Sequence, residues 1–328
     1  MTMAASDSLA RPARPHLPVL LACVLAVPLA LAPMVVHDAF WLQILFNVLM
    51  FGALGAAWNL VGGFLGRISF GHGFFLGLGA YTTMLLLDAH VSPLLGIAVG
   101  GAAAALVAWL IAAPTLRLSG HYFAMLTIGL LQIGLLAVTN LSWAGGASGL
   151  SAPIGNQPWM LLFRDHVPYD VIAVALALLT YLVTHVSAHS RMGFYWRAIS
   201  GDEAAARSLG VAAQRYKLAA FALSAALTGV WGGFFALYVG FIDPGSMFSL
   251  SLSVRIVLVA ILGGSASLYG PWLGALALVP VAELTRAYWG GSSSGADVLV
   301  YGLVILLVTL FLPGGLLKLR RRDGAAGS

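Results

Sequence analysis

Long apolar runs dominate the chain, each near the 20 residues that a helix needs to cross the hydrocarbon core of a bilayer. They predict spans near 17–36, 41–62, 69–87, 94–113, 121–140, 168–186, 218–240, 251–264, 271–289 and 297–313. The runs are continuous rather than alternating, which argues against a transmembrane β-barrel. The expected fold class is all-α: a polytopic transmembrane helical bundle of ten spans with both termini in the cytosol. Residues 1–16 then form a cytosolic tail, 17–313 one transmembrane domain with a long cytosolic loop at 187–217, and 314–328 a basic cytosolic tail. Residues 11–32 also resemble a cleavable signal, with basic Arg11 and Arg14 ahead of an apolar stretch and Ala30-Leu31-Ala32. The apolar run continues to Val36, which favours a retained helix.

Charge supports this layout. Only 8% of the 328 residues are charged while 60% are apolar, and the mean hydropathy is +0.96. A soluble domain needs roughly a quarter of its residues charged, so most of this surface faces lipid. Every one of the 16 Lys and Arg falls on the cytosolic side except Arg164, Arg255 and Arg286, the positive-inside signature of a helical membrane protein. The outer segments instead carry Asp38, Asp88, Asp165, Asp170, Asp243 and Asp297. The basic balance thus answers to the bilayer rather than to nucleic acid. Trp41, Trp143, Trp159 and Trp289 read as interface anchors, and the Gly73/Gly77 and Gly229/Gly233 pairs as close-packing sites between helices. A weak echo links Ser69-Phe70-Gly71-His72-Gly73-Phe74 with Ser267-Leu268-Tyr269-Gly270-Pro271-Trp272, each opening a helix. It is either chance or a trace of internal duplication.

The 187–217 loop carries the most specific signal. Ser200 and Glu203 have the spacing of a capping box, and Asp202 and Glu203 suit the positive end of a helix dipole. Ala204, Ala205 and Ala206 favour helix, and Gly210 suits a left-handed helix end. A helix of about two turns is expected. An interfacial helix needs a bulky apolar face, and this one offers mainly alanine and Leu209, a surface suited to a protein groove.

At this point the chain resembles a known family. Glu203-Ala204-Ala205 with Gly210 is similar to the EAA loop of ABC-importer permeases, the coupling element that seats in the ATPase subunit. Further segments narrow the resemblance to M-type permeases of branched-chain amino acid importers: 66–75 (GRISFGHGFF), Gly79-Ala80-Tyr81, 116–124 (LRLSGHYFA), Gly145-Gly146, Gly149-Leu150, Leu262-Gly263-Gly264, Gly270-Pro271, Gly274-Ala275 and Glu283. It covers roughly residues 40–315, although Ser200-Gly201 stand where family loops usually read Arg-Glu. The resemblance implies a membrane subunit with a second permease subunit, two ABC ATPase subunits and a periplasmic substrate-binding protein as partners. It assigns ATPase coupling to Ser200, Asp202, Glu203, Ala204, Ala205, Arg207 and Gly210. Permeases of the same architecture also serve urea, short amides and aromatic acids. An ion-coupled secondary transporter and a structural scaffold are the readings from other classes.

The chain itself has no motor. Neither Lys217 nor Lys318 follows a glycine, so no phosphate-binding P-loop is present. No zinc motif occurs, and Cys23 is the only cysteine, so neither catalysis nor a cofactor or metal is expected. Arg255, Glu283 and Arg286 lie within predicted spans, where ionisable groups are costly and face the protein interior. At ~1.5 Å per residue, Arg255 lies about 14 Å and Glu283 about 18 Å from the cytosolic ends of their helices. Either they form an ion pair fixing a hairpin, or one of them lines a substrate path with Ser69 and His72 near the start of the third span. For His72, a packed helix-start histidine is the competing reading.

Overall fold

The computed structural model describes residues 16–35, 38–115, 120–153, 160–163, 165–289 and 302–303. Helices dominate them. They are α1 (His16–Val35), α2 (Ala39–Asn59), α3 (His72–Asp88), α4 (Pro93–Thr115), α5 (His121–Asn140) and α6 (Val167–His189). After these come α7 (Arg191–Gly201), α8 (Glu203–Ser208), α9 (Ala213–Val239), α10 (Pro244–Met247), α11 (Leu250–Gly263) and α12 (Gly270–Trp289). A two-residue antiparallel ribbon pairs β1 (Leu150–Ser151) with β2 (Phe241–Ile242), Leu150 facing Ile242.

The first nine expected spans each coincide with one of these helices, and the tenth, 297–313, lies outside the described residues apart from 302–303. Among the described residues, six stretches are long and apolar enough to cross a membrane: Ala39–Phe64, Pro93–Thr115, His121–Asn140, Val167–His189, Ala213–Val239 and Pro244–Gly263. Local chemistry sets several ends. Asp38 caps α2 by accepting the Phe40 N–H at 2.9 Å, Ser249 caps α11 through Leu252, and left-handed Gly240 closes α9. Trp41 and Trp143 are exposed, as interface anchors require, whereas Trp159 lies outside the described residues.

The core sits where α2 threads the bundle. Its apolar window is 89% buried, against 28% for α5. One side of the bundle packs α3, α4 and α9 so tightly that a methyl group on Gly79 would strike the Gly229 backbone. On the other side α11 and α12 close on α2, with Trp272 filling the space beside Gly52. Lipid offers helices no hydrophobic reason to associate, so such close backbone approach supplies the attraction.

Below Asn59 the helix loosens into a π-turn over Leu60–Phe64. Asn59 wraps back beside Gly63, where a Cβ would collide with it. Its amide donates to the Ser267 carbonyl at 2.7 Å and its oxygen accepts the Ala266 N–H at 2.9 Å. The preceding Trp58 donates its indole N–H to the Ser69 carbonyl at 2.7 Å. Two neighbouring residues of α2 thus hold the two segments that echo one another in sequence. The likeness is local as well: Ser69 accepts the Gly71 N–H, and Ser267 the Tyr269 N–H, through their hydroxyls.

Candidate functional site: a charged knot and a polar hub

Between α6 and α9 the chain makes two helices. Ser190 caps α7 by accepting the Met192 N–H. Trp196 is buried and donates to the Tyr216 carbonyl at 2.8 Å. Arg197 reaches the Ala188 carbonyl and lies over the Phe64 ring, 5.6 Å from its centroid. On this platform stands α8, its buried Ala206 turned into a small apolar cluster with Leu65, Trp196 and Ile199. Ala204, Ala205 and Leu209 are exposed on the outer face.

The start of α8 differs from the expected capping box. Ser200 lies in the last turn of α7, and Asp202, on extended backbone, is the cap. Its carboxylate accepts the Ala204 and Ala205 N–H groups at 2.8 and 3.0 Å. Glu203 does not reach back to close the box, because three cations compete for it, and charge-assisted bonds outrank one to a backbone amide. Lys217 approaches both of its oxygens at 2.5 Å, Arg207 lies at 2.6 Å and Arg67 at 2.9 Å. Gly210, at φ +86°, ends the helix as expected. The Val211 N–H returns to Ala206 and the Gly210 N–H to Arg207, a Schellman closure.

The knot is half-buried, with the Lys217 side chain almost wholly enclosed and Glu203 at 23% exposure. Burial pushes the Glu203 carboxyl up. The hydrogen bond and charge of Lys217, then Arg207 and Arg67, outweigh it and hold the group below its usual value. Removing Glu203 would leave three cations facing one another.

Arg67 belongs to the 65–71 segment, which leads directly into α3, and this segment is a meeting point of helices. Thr127 of α5 accepts the Phe70 N–H at 3.0 Å, and Ser253 of α11 accepts the Gly73 N–H at 2.9 Å. His72 is buried, its Nε2 lying 2.8 Å from the Ser224 hydroxyl of α9. That hydroxyl has one proton and donates it to the Ala57 carbonyl of α2 at 2.6 Å. His72 Nε2 must therefore carry the proton in their shared bond. Lys217 and Ser224 stand two turns apart on α9. The knot thus reaches His72 by two routes, along Arg67–Ser69 and along α9.

The four expected path residues do not form one site. Ser69 and His72 share this hub, and half-buried Arg255 sits two residues beyond Ser253 on α11. Glu283 lies elsewhere: it takes Arg286 at 3.4 Å and the Asn47 amide at 3.2 Å. Asn47 precedes Asn59 on α2 by about 18 Å of helix rise. Of the partners weighed for Glu283, the described geometry gives Arg286. Sequence reasoning gave Arg67 and Lys217 no part in the coupling element, and it passed over Trp58, Asn59, Thr127, Ser224 and Ser253. One signal was available, an asparagine at the end of an apolar run, where an unmatched amide is costly.

Long apolar helices that converge on a buried polar hub, with a short capped helix outside them, mark a polytopic membrane protein. The chain belongs to the family described as the permease component of branched-chain amino acid transport systems, whose model matches residues 40–309. It is 31% identical over 306 residues to the high-affinity branched-chain amino acid transport system permease protein LivM of Escherichia coli K12, covering 83% of this chain and 70% of that protein. LivH of the same organism is 27% identical, over 85% of this chain and 96% of its own length. The autoinducer 2 import system permease protein LsrC of Enterobacter sp. (strain 638) is 27% identical, over 70% and 74%.

Proposed function

We propose that this chain is one membrane subunit of an ATP-driven importer for branched-chain or related hydrophobic amino acids in the bacterial inner membrane. It works beside a second permease subunit, two ABC ATPase subunits and a periplasmic binding protein. The reading carries ten spans with both termini and the α7–α8 segment in the cytosol. The observation that supports it best is α8 itself, a capped helix whose alanine face is bare while Glu203 fastens its root to α9 and to the 65–71 segment. Small side chains let a partner backbone approach closely, and the knot gives the partner a rigid handle. As the ATPases close, α8 moves, and Glu203 passes the displacement through Arg67 and Lys217 to the hub around His72. Arg207 and Leu209, exposed beside the alanines, frame the contact.

Replacing Ala205 with tryptophan tests this reading. Substrate uptake by the assembled importer should fall at least about tenfold, the effect of ~1.4 kcal/mol, while the subunit still inserts into the membrane. Unchanged uptake, or uptake that persists in cells lacking the ATPases, would sink it and favour an ion-coupled transporter. The likeness to LsrC, named for autoinducer 2 import, motivates a second reading: the same machine with a different cargo.

A further inference from the structure

At the end of the bundle opposite α8, a pocket of about 420 Å³ opens between the start of α6 and the end of α9, beside the β1–β2 ribbon. Aromatic rings form much of its wall. Tyr169 and Tyr238 meet edge to face with centroids 5.6 Å apart, and His166 lies 5.7 Å from Tyr238. Contacts within the protein fix these rings. Tyr238 stacks on Phe46 at 3.6 Å, and the Tyr169 hydroxyl accepts the Phe163 N–H at 3.1 Å.

One carboxylate, Asp165, is part of the lining, and a second, Asp170, follows Tyr169 on α6 just outside it. Asp165 stands at the exposed rim. Asp170 lies one turn further along α6, on the His166 face, and is completely buried. Neither of its carboxylate oxygens has a hydrogen-bond partner among the described residues. A bare carboxylate inside a membrane helix is costly and marks a functional position. The described lining holds no lysine or arginine. Tyrosine faces with an acid at the rim are the chemistry that receives a positively charged nitrogen. An apolar cavity of about 380 Å³ between α1, α2, α6 and α12 shows the contrast, since alanine, leucine and valine make up most of its lining and no charged residue is among them.

We propose that the pocket at the ends of α6 and α9 is an entry site that binds the ammonium group of an amino acid between Tyr169 and Tyr238, with Asp165 and Asp170 supplying the opposing charge. That the ligand is the transported amino acid rests on the function proposed above; the preference for ammonium rests on the pocket.

The test is isothermal titration of the full chain in lipid nanodiscs at neutral pH, using L-leucine, isoamylamine (the amine without the carboxylate) and isocaproate (the carboxylate without the amine). Leucine and isoamylamine should bind and isocaproate should not. Tyr238→Leu and Asp170→Asn should each weaken isoamylamine about tenfold, whereas Tyr238→Phe, which keeps the ring, should stay within about twofold. Isocaproate binding as tightly as isoamylamine would overturn the proposal. So would no binding of the amine, or an amine affinity unmoved by both variants while thermal unfolding shows them folded. The two readings fail separately. Absent amine binding with intact ATPase-dependent uptake removes the entry site alone, and amine binding with ATPase-independent uptake upholds the site while removing the importer.

Discussion

The two ends of this molecule handle buried charge in opposite ways. At the α8 end one carboxylate, Glu203, is saturated by Lys217, Arg207 and Arg67. At the other end Asp170 is more deeply buried and has no hydrogen-bond partner among the described residues. A saturated carboxylate holds elements together, because each of its partners comes from a different place: the 65–71 segment, α8 itself and α9. An unsaturated one costs stability and is kept where a ligand completes it. On the proposals above, the difference separates a mechanical joint from a receptive site.

Reversing the charge at the joint should have the largest effect. Glu203→Lys places four cations together, and because Lys217 is enclosed, a loss of about 3 kcal/mol is expected, at the low end of the ~3–5 kcal/mol of a fully buried pair because Glu203 is partly solvated. Thermal unfolding in detergent would measure it, and uptake should fall with it. Adding Lys217→Glu should recover part of the loss; a double variant as unstable as the single one would show that the knot is not a pairwise joint.

Next comes the clamp that supports the joint. Asn59→Leu leaves the Ala266 N–H and Ser267 carbonyl without their partner, for a loss of about 2 kcal/mol, again read by thermal unfolding. A change below about 0.5 kcal/mol would mean that solvent replaces the asparagine. At the opposite end the sign should reverse. Asp170→Asn replaces a buried carboxyl group that has no hydrogen-bond partner among the described residues and should raise the unfolding midpoint by the equivalent of about 1 kcal/mol while weakening amine binding. A lower midpoint would show that Asp170 serves the fold.

The smallest effect is the pH response of the joint. The Glu203 carboxyl sits below its ordinary value when folded, so its stabilisation is complete above the unfolded value near ~4.3 and is lost as pH falls through the lower, folded value. The stability gap between wild type and Glu203→Gln should therefore be flat from pH 7 to about 5 and narrow only in more acid solution. A gap that closes above pH 5 would mean that the carboxyl is not held ionised by its three cations.

Much of the fold was legible because lipid constrains it. Continuous apolar runs placed nine helices within a few residues, and Ala204–Ala206 with Gly210 placed α8. The cap was misassigned because Ser200 and Asp202 both suit an N-cap, and the choice lies in where α7 stops. The Arg255–Glu283 pairing rested on depth and a shared hairpin, neither of which says which face of a helix turns inward; the described geometry gives Glu283 the Arg286 and Asn47 contacts. The repeat between residues 69–74 and 267–272 was weak as text. It became a physical likeness once Trp58 and Asn59 were seen to hold its two copies.

What the sequence by itself determined is the solvent of this protein, the helix pattern up to residue 289 and the existence of a short alanine-faced helix. These follow from local rules: run length against bilayer thickness, and the propensities of individual residues. Tertiary structure alone decided that Glu203 meets Arg67 and Lys217, that residues 69–73 gather α2, α5, α9 and α11, and that Asp170 lies beside an aromatic pocket. Side chains far apart in the chain meet according to helix rotation and packing, and neither leaves a periodic trace in a run of apolar residues.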